Sequence, residues 1–127
     1  MPEDAASARS GTPRGLASFQ EFWPHYLREH AKPATRALHF AGTGLALVLL
    51  LVAAAALTWW LVPAAVVAGY LFAWIGHFAV ERNRPATFSY PAWSLLGDLR
   101  MFWLWVQGRL DAELRRAGVL PGAGARQ

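Results

Sequence analysis

The sequence predicts an all-α protein held in a membrane by a helical hairpin, and three observations predict it. From Ala37 to Val80 the chain runs for 44 residues without Asp, Glu, Lys or Arg, where an average soluble chain carries a charge about every fourth residue. Basic residues gather just outside this run, at Arg28, Lys32 and Arg36 before it and Arg82 and Arg84 after it, as they do at membrane flanks. The run is divided once, by Thr58-Trp59-Trp60-Leu61-Val62-Pro63, where Trp suits a membrane interface and Pro the first turn of a new helix.

Each element follows in order. Residues 1–17 are rich in Ala, Ser, Gly, Pro and Arg without apolar periodicity, and they lack the 7–15-residue apolar core of a signal peptide, so they read as a disordered leader. Ser18 and Glu21 form a capping box. Phe19, Phe22, Trp23, Tyr26, Leu27 and His30 then recur at helical spacing, which predicts a short amphipathic helix lying on the membrane surface. Pro33 ends that pattern. The uncharged run holds two crossings of a hydrocarbon core about 30 Å thick, at about 35–58 and 63–82. Asn83 to Pro91 contains two prolines and no period, and predicts an ordered loop. Ser94 can cap a last helix in which Leu95, Leu99, Phe102, Trp103, Val106, Leu110 and Leu114 share one face, which suits a helix along the interface or against the hairpin and leaves a tilted third crossing open. A tail punctuated by Gly and Pro follows from 118 to 127, so the domain expected is a single helical unit over 18–117.

Composition excludes several functions. Without Cys there is no disulfide scaffold, iron-sulfur cluster, Cys-ligated zinc or thiol nucleophile. Eleven of the twelve basic residues are Arg and the net charge is +4, but no basic run interleaves with exposed aromatics, so lipid rather than nucleic acid is the expected partner. There is no Gly-rich phosphate loop and no Gly-x-Ser-x-Gly. The positive flanks place both chain ends in the cytoplasm.

The chemistry concentrates in histidine. His39 and His77 lie inside the uncharged run, where ionisable groups are costly and functional by default. Small residues mark facing seams: His39, Gly42, Ala46 and Ala53 on one crossing, and Ala65, Gly69, Ala73, His77 and Glu81 on the other. Counted from the turn at about 1.5 Å per residue, His39 stands about 29 Å away, His77 about 21 Å and Glu81 about 27 Å. An antiparallel hairpin therefore gathers them at its open end, and a bend at Pro33 lets His30 join. Three His and a carboxylate suit zinc, manganese or ferrous iron. His25 is off the phase of the aromatic stripe and is left out. Asp98 reads as a first-turn acid on the helix dipole or as a group behind or beside a metal. Arg36 and Arg84 can receive a carboxylate or phosphate or anchor the interface, and Asn83 stands beside them.

Further residues carry a resemblance. Phe22-Trp23-Pro24, Tyr26-Leu27, His30, Pro33, Arg36, Leu38-His39 and Gly42-Thr43, then Gly69-Tyr70, Ala73-Trp74, Gly76-His77-Phe78, Glu81, Asn83, Pro85-Ala86-Thr87-Phe88, Tyr90-Pro91, Gly97-Asp98 and Gly108-Arg109-Leu110 resemble the domain-of-unknown-function 962 family over about 19–114. Its characterised fungal member is a ferrous-iron-dependent 2-hydroxy fatty acid dioxygenase. The resemblance implies iron-dependent cleavage of a 2-hydroxy long-chain fatty acid by molecular oxygen to the acid one carbon shorter. It also implies metal ligands at His30, His39 and His77, with Glu81 as a fourth ligand or just behind them; Asp98, Arg36, Arg84 and Asn83 are the further candidates for groups behind the ligands or at the substrate. Lys32 and Thr35 depart from the family's His-x-Asn-Pro-x-Asn-Arg segment. The short chain is similar to compact bacterial members, which implies a bacterial inner membrane. The residues alone leave two other readings open: a non-enzymatic membrane protein with structural or pH-sensing His, and a zinc-dependent lipid hydrolase.

Overall fold

The computed structural model describes residues 15–122, which form helices joined by short turns and, among the described residues, no strand. The helices are α1 (Phe19–Arg28), α2 (Pro33–Ala56), α3 (Leu61–Ile75), α4 (Pro91–Val106) and α5 (Leu110–Arg116). A π-helical turn, Gly76–Glu81, continues α3, and a 3-10 turn covers Ala86–Phe88. Most of the expected leader and the end of the expected tail lie outside the described residues.

α2 and the continuous helix from Leu61 to Glu81 are each long and apolar enough to cross a membrane, and they start and end within two residues of the expected crossings. They pack along the small-residue seams. A Cβ at Gly42 would stand 2.7 Å from Cβ of Phe72 and 3.2 Å from the carbonyl oxygen of Gly69, while one at Gly69 would stand 3.8 Å from Cβ of Ala46. Ala53, Ala65 and Ala73 are buried in the same seam. Outward, Val48, Leu51, Val66 and Val67 are each more than half exposed. Leu57 closes α2 in the left-handed region at φ 52°. Because Cβ of Phe72 and the carbonyl of Gly69 leave no room at Gly42, Gly42→Ala is expected to cost about 1–3 kcal/mol, as overpacking does, read as earlier unfolding in detergent.

Two expectations are corrected here. α1 begins as expected, with Ser18 Oγ accepting from the amide of Glu21 at 3.2 Å and Glu21 Oε2 accepting from that of Ala17 at 2.9 Å. Its apolar stripe, however, does not face lipid. Phe22, Trp23, Tyr26 and Leu27 pack with Met101 and Leu104 of α4 and with Leu110, Leu114 and Ala117 in and after α5. The ring of Trp23 also carries the Arg100 guanidinium at 4.5 Å and donates to Glu113 Oε2 at 3.1 Å.

The expected last helix is two helices, broken at Gly108. The amide of Gly108 donates to Trp105 O at 3.0 Å and that of Arg109 to Leu104 O at 2.8 Å, with Gly108 at φ 71°, the pairing of a Schellman C-cap. Pro91 rather than Ser94 opens α4, and Ser94 instead meets Thr87 Oγ1 at 2.9 Å. Ser94, Gly97, Met101 and Leu104 of α4 point inward, while Leu95, Leu96, Leu99, Trp103, Trp105 and Val106 are exposed, so in α4 most of the apolar face expected along the interface or against the hairpin is left uncovered by the rest of the chain. Gly97 explains the choice. A Cβ there would stand 3.0–3.2 Å from the Tyr26 ring, so the smallest residue of α4 takes the tightest contact.

Candidate metal centre

His30, His39 and His77 come from three segments: the turn after α1, the second turn of α2, and the π-helical turn. Their side chains are buried, and one ring nitrogen from each lies within 4.8 Å of the others. The ring centroids are 4.3, 4.5 and 4.9 Å apart, with the planes nearly perpendicular. π-helical turns often mark functional sites because the extra residue re-aims side chains, and here the turn carries His77.

The second nitrogen of each ring fixes its tautomer. His30 Nδ1 is 2.6 Å from Tyr26 O, His39 Nδ1 is 3.0 Å from Thr35 O, and His77 Nδ1 is 2.7 Å from Asn83 Oδ1. A backbone carbonyl only accepts, so the first two Nδ1 atoms donate. Asn83 Nδ2 donates to the carbonyl of Glu29 at 2.9 Å, which turns its Oδ1 toward His77 and makes the third Nδ1 a donor too. Each neutral ring is therefore left with a bare Nε2.

Two of those bare nitrogens face each other: His30 Nε2 and His39 Nε2 are 3.0 Å apart. Two lone pairs at that distance repel unless a cation lies between them. A proton is the poorer choice, because burial, aided by the neighbouring His39 and His77, holds the His30 imidazole well below its ordinary pKa. A metal ion satisfies all three nitrogens at once, and imidazole donors suit iron, zinc and other divalent transition metals. The histidines fit a metal ion.

Around this centre, Arg36 Nη1 donates to the carbonyls of His30 and Ala31, at 2.8 Å each, holding the bend that brings His30 in. Thr35 Oγ1 is buried without a hydrogen-bond partner among the described residues, a polar atom left for a ligand or water. Asp98 Oδ1 lies 3.9 Å from His39 Nε2 and accepts a hydrogen bond from the Tyr26 hydroxyl. Burial pushes the Asp98 carboxyl up to about 7, with the Tyr26 hydrogen bond opposing, and holds the Tyr26 phenol well above 10.

Glu81 stands elsewhere. Its carboxylate accepts from the backbone amide of Lys32, whose Nζ donates to Val80 O at 2.9 Å, so it sits on the positive end of α2, where an anion is favoured. It is not in the group of ligand atoms that the three His form. A count along a regular α-helix had placed it level with His39, but the π-helical turn changes the register of the last residues before Arg82. Arg84 lies over the Phe88 ring at 4.9 Å, and His25 pairs with Glu29 at 2.5 Å, away from the cluster. Tyr26 was read only as part of the apolar stripe. The signal was present, since a buried Tyr hydroxyl needs a partner.

Asn83 links the π-helical turn to the end of α1 through His77 and Glu29. Asn83→Ala is expected to weaken metal binding by 10–100-fold, the usual cost of removing a group that orients a ligating His, measured by competition with a chelator of known affinity.

Fold and site together define a small all-helical protein with two membrane-length apolar helices and a buried three-histidine centre. Residues 16–110 match the family model described as 2-hydroxy-palmitic acid dioxygenase Mpo1-like, and the chain belongs to this Mpo1-like family, consistent with the resemblance read from the sequence. No curated protein and no solved structure matches the chain.

Proposed function

We propose that this protein is a ferrous-iron-dependent dioxygenase that cleaves a 2-hydroxy long-chain fatty acid to the acid one carbon shorter. The observation that carries this reading is the set of three buried imidazoles, each with Nδ1 tied to an acceptor and Nε2 left bare, in a chain whose family is described by that activity. His30, His39 and His77 hold the iron. Three ligands leave positions open for oxygen and substrate, as non-haem iron oxygenases require, and the bound iron would supply oxygen activation. Glu81 keeps the N-terminus of α2 in place rather than ligating.

The chain's own groups do the rest. Arg36 and Asn83 hold the segments that carry His30 and His77. The domain over 18–117 sits in a bacterial inner membrane as a hairpin of α2 and Leu61–Glu81, both chain ends cytoplasmic, and the acyl tail of the substrate lies among its lipid-facing side chains.

The test is to prepare the protein in detergent under reducing, iron-replete conditions, measure metal content, and then supply 2-hydroxyhexadecanoate and oxygen. About one iron per chain and formation of pentadecanoate are expected, with none from protein loaded with zinc. Absence of bound metal, or equal turnover by the zinc form, would overturn the reading.

A further inference from the structure

The three imidazoles are closed off from the surroundings: His30 is 0% exposed, and His39 and His77 are 3% each. Tyr26 is also fully buried. Among the described residues Asp98 is the carboxylate that comes within 4 Å of one of these rings, 3.9 Å from His39 Nε2, and it keeps 22% of its side chain exposed. It belongs beside the metal rather than on it, since it is absent from the group of atoms within 4.8 Å of one another, whereas carboxylate and imidazole ligands bind zinc, for example, at about 2.0–2.2 Å. Its Oδ1 is held by the Tyr26 hydroxyl, and Oδ2 has no hydrogen-bond partner among the described residues. Next to it on α4, Leu95, Leu96 and Leu99 are exposed by 55, 49 and 43%.

We infer that Asp98 selects the substrate of the proposed reaction by accepting the hydrogen bond of its 2-hydroxyl group, the acyl tail leaving along the exposed Leu face of α4. The inference rests on the function proposed above. With Oδ1 taken by Tyr26, Oδ2 is the acceptor left over, and the hydroxyl is the only donor that a 2-hydroxy acid anion has to turn toward it. An unsubstituted acid leaves Oδ2 unpaired, and a 2-oxo acid meets it with another acceptor. Sites built to bond a substrate hydroxyl reject the analogue that lacks it far more strongly than apolar pockets reject a methylene. Gly97 belongs to the same device, because it lets the Tyr26 ring approach α4 and pin the carboxylate.

The experiment measures equilibrium binding of radiolabelled 2-hydroxyhexadecanoate to the iron-loaded protein in detergent without oxygen, with hexadecanoate and 2-oxohexadecanoate as competitors and iron content measured in parallel. Wild type should prefer the 2-hydroxy acid by at least tenfold. Asp98→Asn should keep its iron and lose most of that preference, since Tyr26 holds the amide oxygen and the amide nitrogen replaces the acceptor. Tyr26→Phe should lose part of it. Loss of iron from Asp98→Asn would make Asp98 a ligand and overturn the inference, as would unchanged preference in an Asp98→Asn protein that keeps iron. Failure of the underlying function shows differently, as wild type that binds iron and the 2-hydroxy acid yet forms no shortened product once oxygen is admitted.

Discussion

His39→Ala and His77→Ala are each expected to bring bound metal down to background and to abolish turnover. Each removes one of only three nitrogens and leaves a cavity where a ring had been packed. His30→Ala should do the same, and in addition remove the ring that lies 4.1 Å from that of Tyr26. Elemental analysis of the purified variants reads the result, with helicity by circular dichroism showing that the fold survives. Retention of a full complement of metal by His39→Ala and His77→Ala together would mean that the ion, if any, sits elsewhere. His25→Ala is the matched control: its ring pairs with Glu29 at the surface, and the variant should hold metal like wild type.

The second large effect is all or none. The proposed topology, with both chain ends cytoplasmic, puts the turn between α2 and α3 across the membrane from the metal centre. The native chain has no Cys, so a single introduced Cys reports on its own surroundings. Leu57→Cys, at a position 90% exposed in that turn, should react with a membrane-impermeant maleimide added to intact cells. Ser89→Cys, exposed in the loop before α4, should react only after the membrane is opened. The basis is the five basic residues around the open end and none at the turn, whose positive charge resists translocation. The reverse labelling pattern would invert the topology and move the proposed centre to the other compartment.

The two expectations stand on different footings. The membrane-length helices depend on a run of side chains that any window of sequence displays. The metal centre depends on three segments meeting, and the sequence showed only that His39 and His77 could reach the same depth once small residues let the helices approach. That argument held because close packing at Gly42 and Gly69 is a local property of side-chain size, and helical rise converts residue number into depth.

It failed where a single turn departs from the regular helix. Glu81 follows His77 by four residues, and regular α-helical geometry puts the two on one face. The π-helical turn at Gly76–Glu81 shifts that register, and the carboxylate goes to the amide of Lys32. Nothing in a pattern of apolar and polar residues distinguishes the two courses. The direction of α1 and α4 was hidden for a related reason: each has apolar residues enough for either lipid or protein, and periodicity names a face without naming what covers it.

By itself, then, the sequence determined an all-helical chain, two apolar helices of membrane length, their small-residue seams, and, with Cys absent, histidine as the chemistry-bearing residue type. Tertiary structure alone decided that α1 turns its aromatic face to α4 and α5, that Gly97 seats Tyr26 and so places Asp98 beside His39, and that Asn83 rather than Glu81 stands behind His77. Hydropathy and helical period are properties of neighbours in the chain, whereas a hydrogen bond from residue 83 to residue 29 forms only after the chain between them has folded.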